Sequence, residues 1–346
     1  MIEENMHVAM YYNNNDIRIE EMPIPEINDN ELLVKVQASG ICGSDVMEWY
    51  RIKKAPRVLG HEIAGDIVEV GKNVKNFHVG DRVFVSHHVP CNACTFCLND
   101  QHTLCDTLHS TNFHPGGFAE YLKVPPINVD RGTFLLSDEL TYNEGVFIEP
   151  LSCVVRGLRI AEFQSGQSIL IIGSGMAGLL HIKLARALGA SRIIATDVEE
   201  FKLKVAQRIG ADVIIHADNN IPQQVKKNNN GKLADFVVLC TGALSAVEQT
   251  LKSVAPGGTI LLFAPTQPGV VVPFPLFDLW NKQIKMMSTY AGAPKDITTA
   301  IDLLTSKKVA VEDLITHKLP LTDAAKGFKL VADGTHSIKV ILKPHI

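Results

Sequence analysis

The sequence predicts a chain of the α/β plus β class: a barrel-like β domain first, then a doubly wound parallel sheet, then a short tail. Three observations carry this. Residues 7 to about 85 hold many short strand-like runs separated by Gly, Asn and Pro, the pattern of a small barrel. From Ser168 onward, apolar runs alternate with stretches of helical spacing, as parallel strands with crossover helices require. Between the first such run and the first such helix lies Gly173-Ser174-Gly175-Met176-Ala177-Gly178, a glycine turn suited to that junction. The expected divisions are 1–155, 156–289 and 290–346, the last segment packing back on the first domain.

Each element has its own reason. His7 to Tyr12 runs into the turn-prone Asn13-Asn14-Asn15-Asp16, and Ile17-Arg18-Ile19-Glu20 alternates as the return strand of a hairpin. Leu32-Leu33-Val34-Lys35-Val36, the run Ile63 to Val70, and Gly80 to Val85 read as further strands, as does the segment ending at Tyr121-Leu122-Lys123-Val124. Leu151 to Ala161 has helical spacing, and Ser165-Gly166-Gln167 is the turn that opens the second domain. There Ser168-Ile169-Leu170-Ile171-Ile172 reads as a buried parallel strand, and the alternation continues through Arg192 to Thr196, Asp212 to Ile215, Asp235 to Cys240 and Thr259 to Phe263. In the tail, Asp296 to Leu304 and Thr322 to Phe328 have helical spacing, and Ile338 to Leu342 is a last strand.

Composition narrows the function. At 346 residues the chain is long enough for two cores. A formal charge of -4 leaves no basic excess for nucleic acid or anionic lipid, so small-molecule chemistry is expected. The acidic opening Met1-Ile2-Glu3-Glu4-Asn5 lacks the features of a secretory signal, and no apolar run reaches membrane-spanning length, so a cytoplasmic protein is expected. Seven cysteines, four of them clustered, suit metal thiolates in a reducing compartment better than a disulfide framework.

The cluster is Cys91-Asn92-Ala93-Cys94-Thr95-Phe96-Cys97 with Cys105. Its spacing closes a tetrahedral four-thiolate shell, the pattern of structural zinc. An iron–sulfur cluster is the competing reading, but no proline follows the last cysteine and no second set accompanies it. In the second domain the glycines Gly173, Gly175 and Gly178 let backbone approach a pyrophosphate at a helix N-terminus. Asp197 closes the next strand about 20 residues on, where a carboxylate accepts from the adenosine ribose and repels a 2'-phosphate. NAD is therefore expected over NADP. Lys202 falls near the same ribose or on a solvated helix face.

Leu59-Gly60-His61-Glu62 and Gly40-Ile41-Cys42-Gly43-Ser44-Asp45 bring a thiolate, an imidazole, carboxylates and a hydroxyl into a short span. Singly these are ordinary residues. Together with the cysteine lobe and the glycine turn they read as a catalytic zinc site. Arg51, Lys53, Lys54 and Arg57 lie in the loop between its halves; they read first as a solvated basic loop, with an anionic substrate at the cleft mouth as the alternative.

Gly-Ile-Cys-Gly-Ser-Asp, Leu-Gly-His-Glu, the four-cysteine lobe, Glu149-Pro150 and the glycine turn together resemble the zinc-dependent medium-chain dehydrogenase family, over nearly the whole chain. Within it the sequence is similar to the sorbitol and xylitol dehydrogenase branch, with L-threonine dehydrogenases as cousins. The resemblance implies a GroES-like β-barrel catalytic domain with a Rossmann domain, two zinc ions per chain, and a homo-oligomer, dimer or tetramer. It implies that Cys42, His61 and either Glu62 or Glu149 hold the catalytic zinc, that Asp45 orients His61, and that Ser44 carries the proton while hydride passes to NAD. Cys153, four residues past Glu149, reads as a core thiol. Trp49 and Tyr290 are expected beside the substrate, a polyol or sugar-like secondary alcohol. A phosphorylated polyol, a sugar acid or L-threonine are the alternatives, and a non-catalytic zinc and nucleotide binder the remote one. The sequence departs from the branch at Met47, where relatives commonly carry histidine, and at Thr289-Tyr290, where the sorbitol branch often reads Arg-Tyr.

Overall fold

A computed structural model describes residues 4–346; Met1-Ile2-Glu3, most of the opening expected to lack a signal, lie outside the described residues. Two compact units result, one formed by residues up to Ser152 together with Ala291–Ile346, the other by Cys153–Tyr290.

Strands in the first stretch are β1 (Asn5–Asn13), β2 (Asp16–Pro23), β3 (Leu32–Gly40), β4 (Arg57–Val58), β5 (Glu62–Val70), β6 (Arg82–Val85), β7 (Tyr121–Val124) and β8 (Thr133–Leu135). The second unit holds β9 (Ser168–Ile172), β10 (Arg192–Asp197), β11 (Val213–His216), β12 (Ala234–Leu239), β13 (Val254–Leu262) and β14 (Lys285–Ser288), and the tail supplies β15 (Ile315–Pro320) and β16 (Lys339–Lys343).

In the first unit one sheet runs β2-β1-β4 and another β15-β16-β3-β5-β6-β8, with β7 on β3. β3 sits between β5 and β7, so its Leu32, Val34 and Val36 are buried against Ile63, Ile67, Val83 and Leu122. Branched side chains fill such a two-sided position well. β16 lies antiparallel to β3, with Ile341 opposite Gly40, so the tail completes the sheet that leads into Cys42.

The second unit is one parallel sheet in the order β11-β10-β9-β12-β13-β14. Every residue of β9 is buried, which is why Ile169 to Ile172 is an unbroken apolar run rather than an alternation. Strand order reverses between β9 and β12, and in open sheets of this kind ligands bind beyond the carboxyl ends at that reversal. Gly173 takes φ +96° there. A Cβ at Gly178 would lie 2.0 Å from the Gly173 carbonyl oxygen, so only glycine lets helix Met176–Ala187 approach the strand.

Several elements differ from expectation. The helix expected from Leu151 starts at Ile148, because Pro150 falls within its first turn, where a missing N–H costs nothing. The helix expected from Thr322 starts at Ala324, after a single 3-10 turn over Leu321–Asp323. β14, β15 and helix Leu276–Asn281 were not anticipated. β14 reads Lys285-Met286-Met287-Ser288 and lies at the sheet's edge, largely exposed, where no apolar alternation is needed. Among the described residues no helix is long and apolar enough to cross a membrane.

Candidate metal centre and nucleotide turn

The register of β3 on β5 builds the first site. Gly40 lies opposite Glu62, so the chain leaving β3 and the chain entering β5 stand side by side, and Cys42 and His61 emerge at the same end of the sheet. Gly60 has φ +92°, and a Cβ there would meet the Phe118 amide nitrogen at 2.8 Å; glycine is required immediately before the histidine. After Cys42 the chain makes a 3-10 turn, Gly43–Val46. The Cys42 Sγ accepts from the Ser44 amide at 3.4 Å, and the Cys42 amide donates to Asp45 Oδ2 at 3.1 Å.

Ligand atoms of Cys42, His61 and Glu62 all lie within 4.8 Å of one another. Behind them Asp45, fully buried, places Oδ1 3.4 Å from His61 Nδ1, which leaves Nε2 for a metal. Burial pushes the His61 pKa down, but Asp45 and Cys42 outweigh it and hold the imidazole well above its ordinary value. Burial likewise opposes the charge on Asp45, yet His61, Arg51 and the Cys42 amide bring its pKa down. Surroundings that favour a proton on His61 also favour a divalent cation in the proton's place. One thiolate, one imidazole and one carboxylate make a three-ligand set of the catalytic type.

Glu62 is also held from beneath. Lys339 of β16 pairs with it, both side chains being 1% exposed. Glu149, in the first turn of helix Ile148–Ile160, accepts the Ser152 hydroxyl on its carbonyl at 2.6 Å and is not among the three gathered ligands. Of the two glutamates open in the sequence, the geometry gathers Glu62.

The second cluster is self-contained. The sulfurs of Cys91, Cys94, Cys97 and Cys105 lie within 4.8 Å of one another. Amides of Ala93 and Cys94 point at Cys91 Sγ, at 3.4 and 3.2 Å, and lower its pKa. Burial pushes the Cys105 thiol up, but the Cys91 and Leu108 amides outweigh it and bring it to about 6. Such donors stabilise thiolate, the form a metal binds. All seven cysteines are free of disulfides.

In the second unit, Asp197 Oδ2 accepts the Ser174 amide at 2.7 Å and Oδ1 accepts the Glu199 amide at 2.9 Å. The carboxylate read as a ribose acceptor therefore also ties the glycine turn to the end of β10. A Cβ at Gly175 would meet nothing within 4 Å, which is open space at the N-terminus of helix Met176–Ala187. The residues fit a dinucleotide pyrophosphate there.

Two family models match the chain: the alcohol dehydrogenase GroES-like domain over residues 28–130 and the zinc-binding dehydrogenase domain over residues 177–306. Sorbitol dehydrogenase of Gallus gallus is 31% identical over 95% of this chain and 93% of its own length. L-threonine 3-dehydrogenase of Bacillus velezensis is 36% identical over 94% of this chain and 95% of its own length. The chain belongs to the zinc-binding alcohol dehydrogenase family. A zinc-binding dehydrogenase from Sinorhizobium meliloti, solved with NADP bound, superposes with a TM-score of 0.88 at 26% identity, covering 99% of this chain and 100% of that one. The protein is thus an NAD-dependent zinc alcohol dehydrogenase of the sorbitol dehydrogenase-like branch, with a GroES-like and a Rossmann domain.

Around this dehydrogenase's metal centre lie residues the sequence did not single out for the chemistry they join. Arg51 Nη2 donates to Ser44 Oγ at 2.8 Å and to Asp45 Oδ1 at 3.2 Å, and its Nε donates to the Ser44 carbonyl at 2.9 Å. His87 lies with its ring 4.9 Å from that of His61 and 3.8 Å from that of His88. Burial, reinforced by His88 and His61, keeps His87 well below the ordinary imidazole range. The adjacent pair at the end of β6 was its only signal. Trp49, half buried, packs against Tyr50 at 5.8 Å, and Lys53 and Lys54 are exposed, as a solvated loop requires. Lys202 is half buried on helix Glu200–Arg208, Cys153 is half buried, and Tyr290, 46% exposed, ends the second unit.

Proposed function

We propose that this dehydrogenase oxidises a secondary alcohol of a polyol to a ketone, with Cys42, His61 and Glu62 holding the catalytic zinc and the Cys91, Cys94, Cys97 and Cys105 lobe a structural one. The observation that carries the reading is the convergence of Cys42, His61 and Glu62, with Asp45 fixing the imidazole and Ser44 beside them. When bound, zinc supplies Lewis acidity toward the carbinol oxygen and NAD accepts the hydride.

The chain's own residues do the rest. Asp45 accepts from His61 and fixes its tautomer. Ser44 takes the carbinol proton. Because Arg51 donates to Ser44 Oγ, one lone pair is occupied and the hydroxyl keeps a second lone pair and its own hydrogen, the capacity a relay needs. Arg51 holds Ser44 in place but cannot take the proton onward, since a guanidinium is always charged. With Met47 on the turn, the relay leaves Ser44 by another route than that residue.

Sorbitol and D-xylulose-related names among the relatives support a polyol. The greater identity to an L-threonine 3-dehydrogenase supports threonine as the second reading. A homo-oligomer is supported by Leu276, Phe277 and Trp280, each more than 70% exposed beside the open edge at β14. NADH formation by zinc-loaded protein across sorbitol, xylitol, other polyols and L-threonine tests the substrate. Turnover of polyols alone is expected; turnover of threonine alone would replace the polyol reading.

A further inference from the structure

Arg57 is a guanidinium with no hydrogen-bond or ion-pair partner among the described residues. It stands on β4 opposite Tyr11, while its neighbour Val58 is buried in the core. Its side chain is half buried. None of its nitrogens is sealed from solvent, so the fork stays open to an incoming acceptor. The acceptors at hand are committed. Asp45 is shared by Arg51, His61 and the Cys42 amide. Glu48, exposed, accepts the Asn14 amide at 2.9 Å. Burial and the neighbouring charge of Arg51 both disfavour the cation at Arg57, with Asp45 and Tyr50 acting the other way.

The surplus positive charge is also close to the chemistry. Arg57 stands four residues before His61 in the chain, and Arg51 of the same loop donates to Ser44 Oγ. Lys53 and Lys54 in the same loop are exposed and need no ligand, so the loop divides into two solvated ammonium groups and two half-buried guanidinium groups. A planar guanidinium fork matches the oxygens of a carboxylate or phosphate, whereas polyol hydroxyls leave its charge uncompensated.

We propose that Arg57, backed by Arg51, receives an oxyanion group carried by the substrate, so that the preferred substrate is a polyol bearing a carboxylate or a phosphate. This rests on the polyol reading above and narrows it.

The test compares sorbitol, D-gluconate and sorbitol 6-phosphate as substrates of zinc-loaded wild type, Arg57→Gln and Arg57→Lys with NAD. Calorimetric binding of the same compounds in the presence of NADH gives a readout that does not depend on turnover. Expected is an anionic compound preferred over sorbitol, and a ratio of kcat/KM for that compound over sorbitol that falls by at least about tenfold in Arg57→Gln and less in Arg57→Lys. Preference for D-gluconate identifies a carboxylate and preference for sorbitol 6-phosphate a phosphate. Sorbitol preferred over both anions, or a ratio unchanged in Arg57→Gln, overturns the inference and leaves polyol oxidation standing. If Arg57→Gln weakens NADH binding, read by nucleotide fluorescence, and lowers all three substrates alike, the guanidinium serves the cofactor's pyrophosphate and the inference is again overturned. If no compound is turned over while NADH still binds, the polyol reading fails. The calorimetry then decides Arg57 separately: anion binding weakened in Arg57→Gln sustains the receptor, and unaltered or absent anion binding removes it.

Discussion

Asp197 shows what one side chain is asked to do. Its carboxylate accepts the Ser174 and Glu199 amides and stands at the end of β10 where the ribose is expected. Removing it leaves two amides without partners, at about 1–3 kcal/mol for each that stays buried, and removes the charge that repels a 2'-phosphate. Asp197→Ala should therefore lower the NAD over NADP ratio of kcat/KM and also weaken NADH binding, because the glycine turn loses its tie. Steady-state kinetics with both cofactors and a nucleotide fluorescence titration check this; undiminished NAD selectivity would remove Asp197 from cofactor choice. Spacing made Asp197 legible in the sequence, since strand, turn, helix and strand have nearly fixed lengths. The Ser174 contact was not legible, and neither was the partner of Glu62, because Lys339 is 277 residues away and only the folded sheet brings it near. Arg51 was visible only as one cation among four; its bond to Ser44 depends on the turn Gly43–Val46 and the short helix Glu48–Arg51 folding its chain back.

At the scale of elements, a capping box holds the short helix Tyr142–Gly145. Thr141 Oγ1 accepts the Glu144 amide and Glu144 accepts the Thr141 amide. Lys307, just past helix Pro294–Thr305, reaches the same carboxylate at 2.5 Å, so one residue joins the tail to the body of the first unit. Burial opposes the charge on Glu144, but Lys307 and the Thr141 donors outweigh it and hold its pKa below the ordinary 4.5. A depressed carboxyl contributes stability above its unfolded pKa, and the contribution is lost as pH falls through the folded value. Lys307 is about half exposed, so solvent screens part of the pair. Glu144→Gln should cost about 1–2 kcal/mol at neutral pH, with the difference from wild type shrinking in acid. Urea unfolding at pH 7 and near pH 4 reads this; a gap of the same size at both would mean the charge contributes nothing. Such ties are absent from a sequence reading for the same reason as β14 and β15. Segments such as Lys285-Met286-Met287-Ser288 and Ile315-Thr316-His317-Lys318 carry no period of their own, and their neighbours make them strands.

For the whole first unit, the tail extends the sheet that carries β3 and β5. β16 pairs with β3 near Gly40, and this places the Lys339 ammonium against Glu62 with both side chains buried. A Cβ on Gly40 would lie 2.2 Å from Glu62 Oε2, so the glycine at the end of β3 is what admits the carboxylate to that position. The pair thus couples the last strand to the metal centre. Breaking a buried pair by removing one partner leaves an uncompensated charge and costs about 3–5 kcal/mol, whereas replacing both partners by uncharged groups of similar size is far less harmful. Lys339→Met should therefore lower the urea midpoint strongly, and Lys339→Met with Glu62→Gln should recover most of the loss. The double variant separates stability from chemistry: it should regain the fold yet bind the catalytic zinc more weakly, because an amide is a poorer ligand than a carboxylate. Zinc counted after dialysis against a mild chelator, set beside the unfolding curve, reads both quantities on one sample. A Lys339→Met protein as stable as wild type would show that the sheet forms without the ion pair. A double variant retaining zinc as tightly as wild type would take Glu62 out of the ligand set and leave Glu149 as the carboxylate to test.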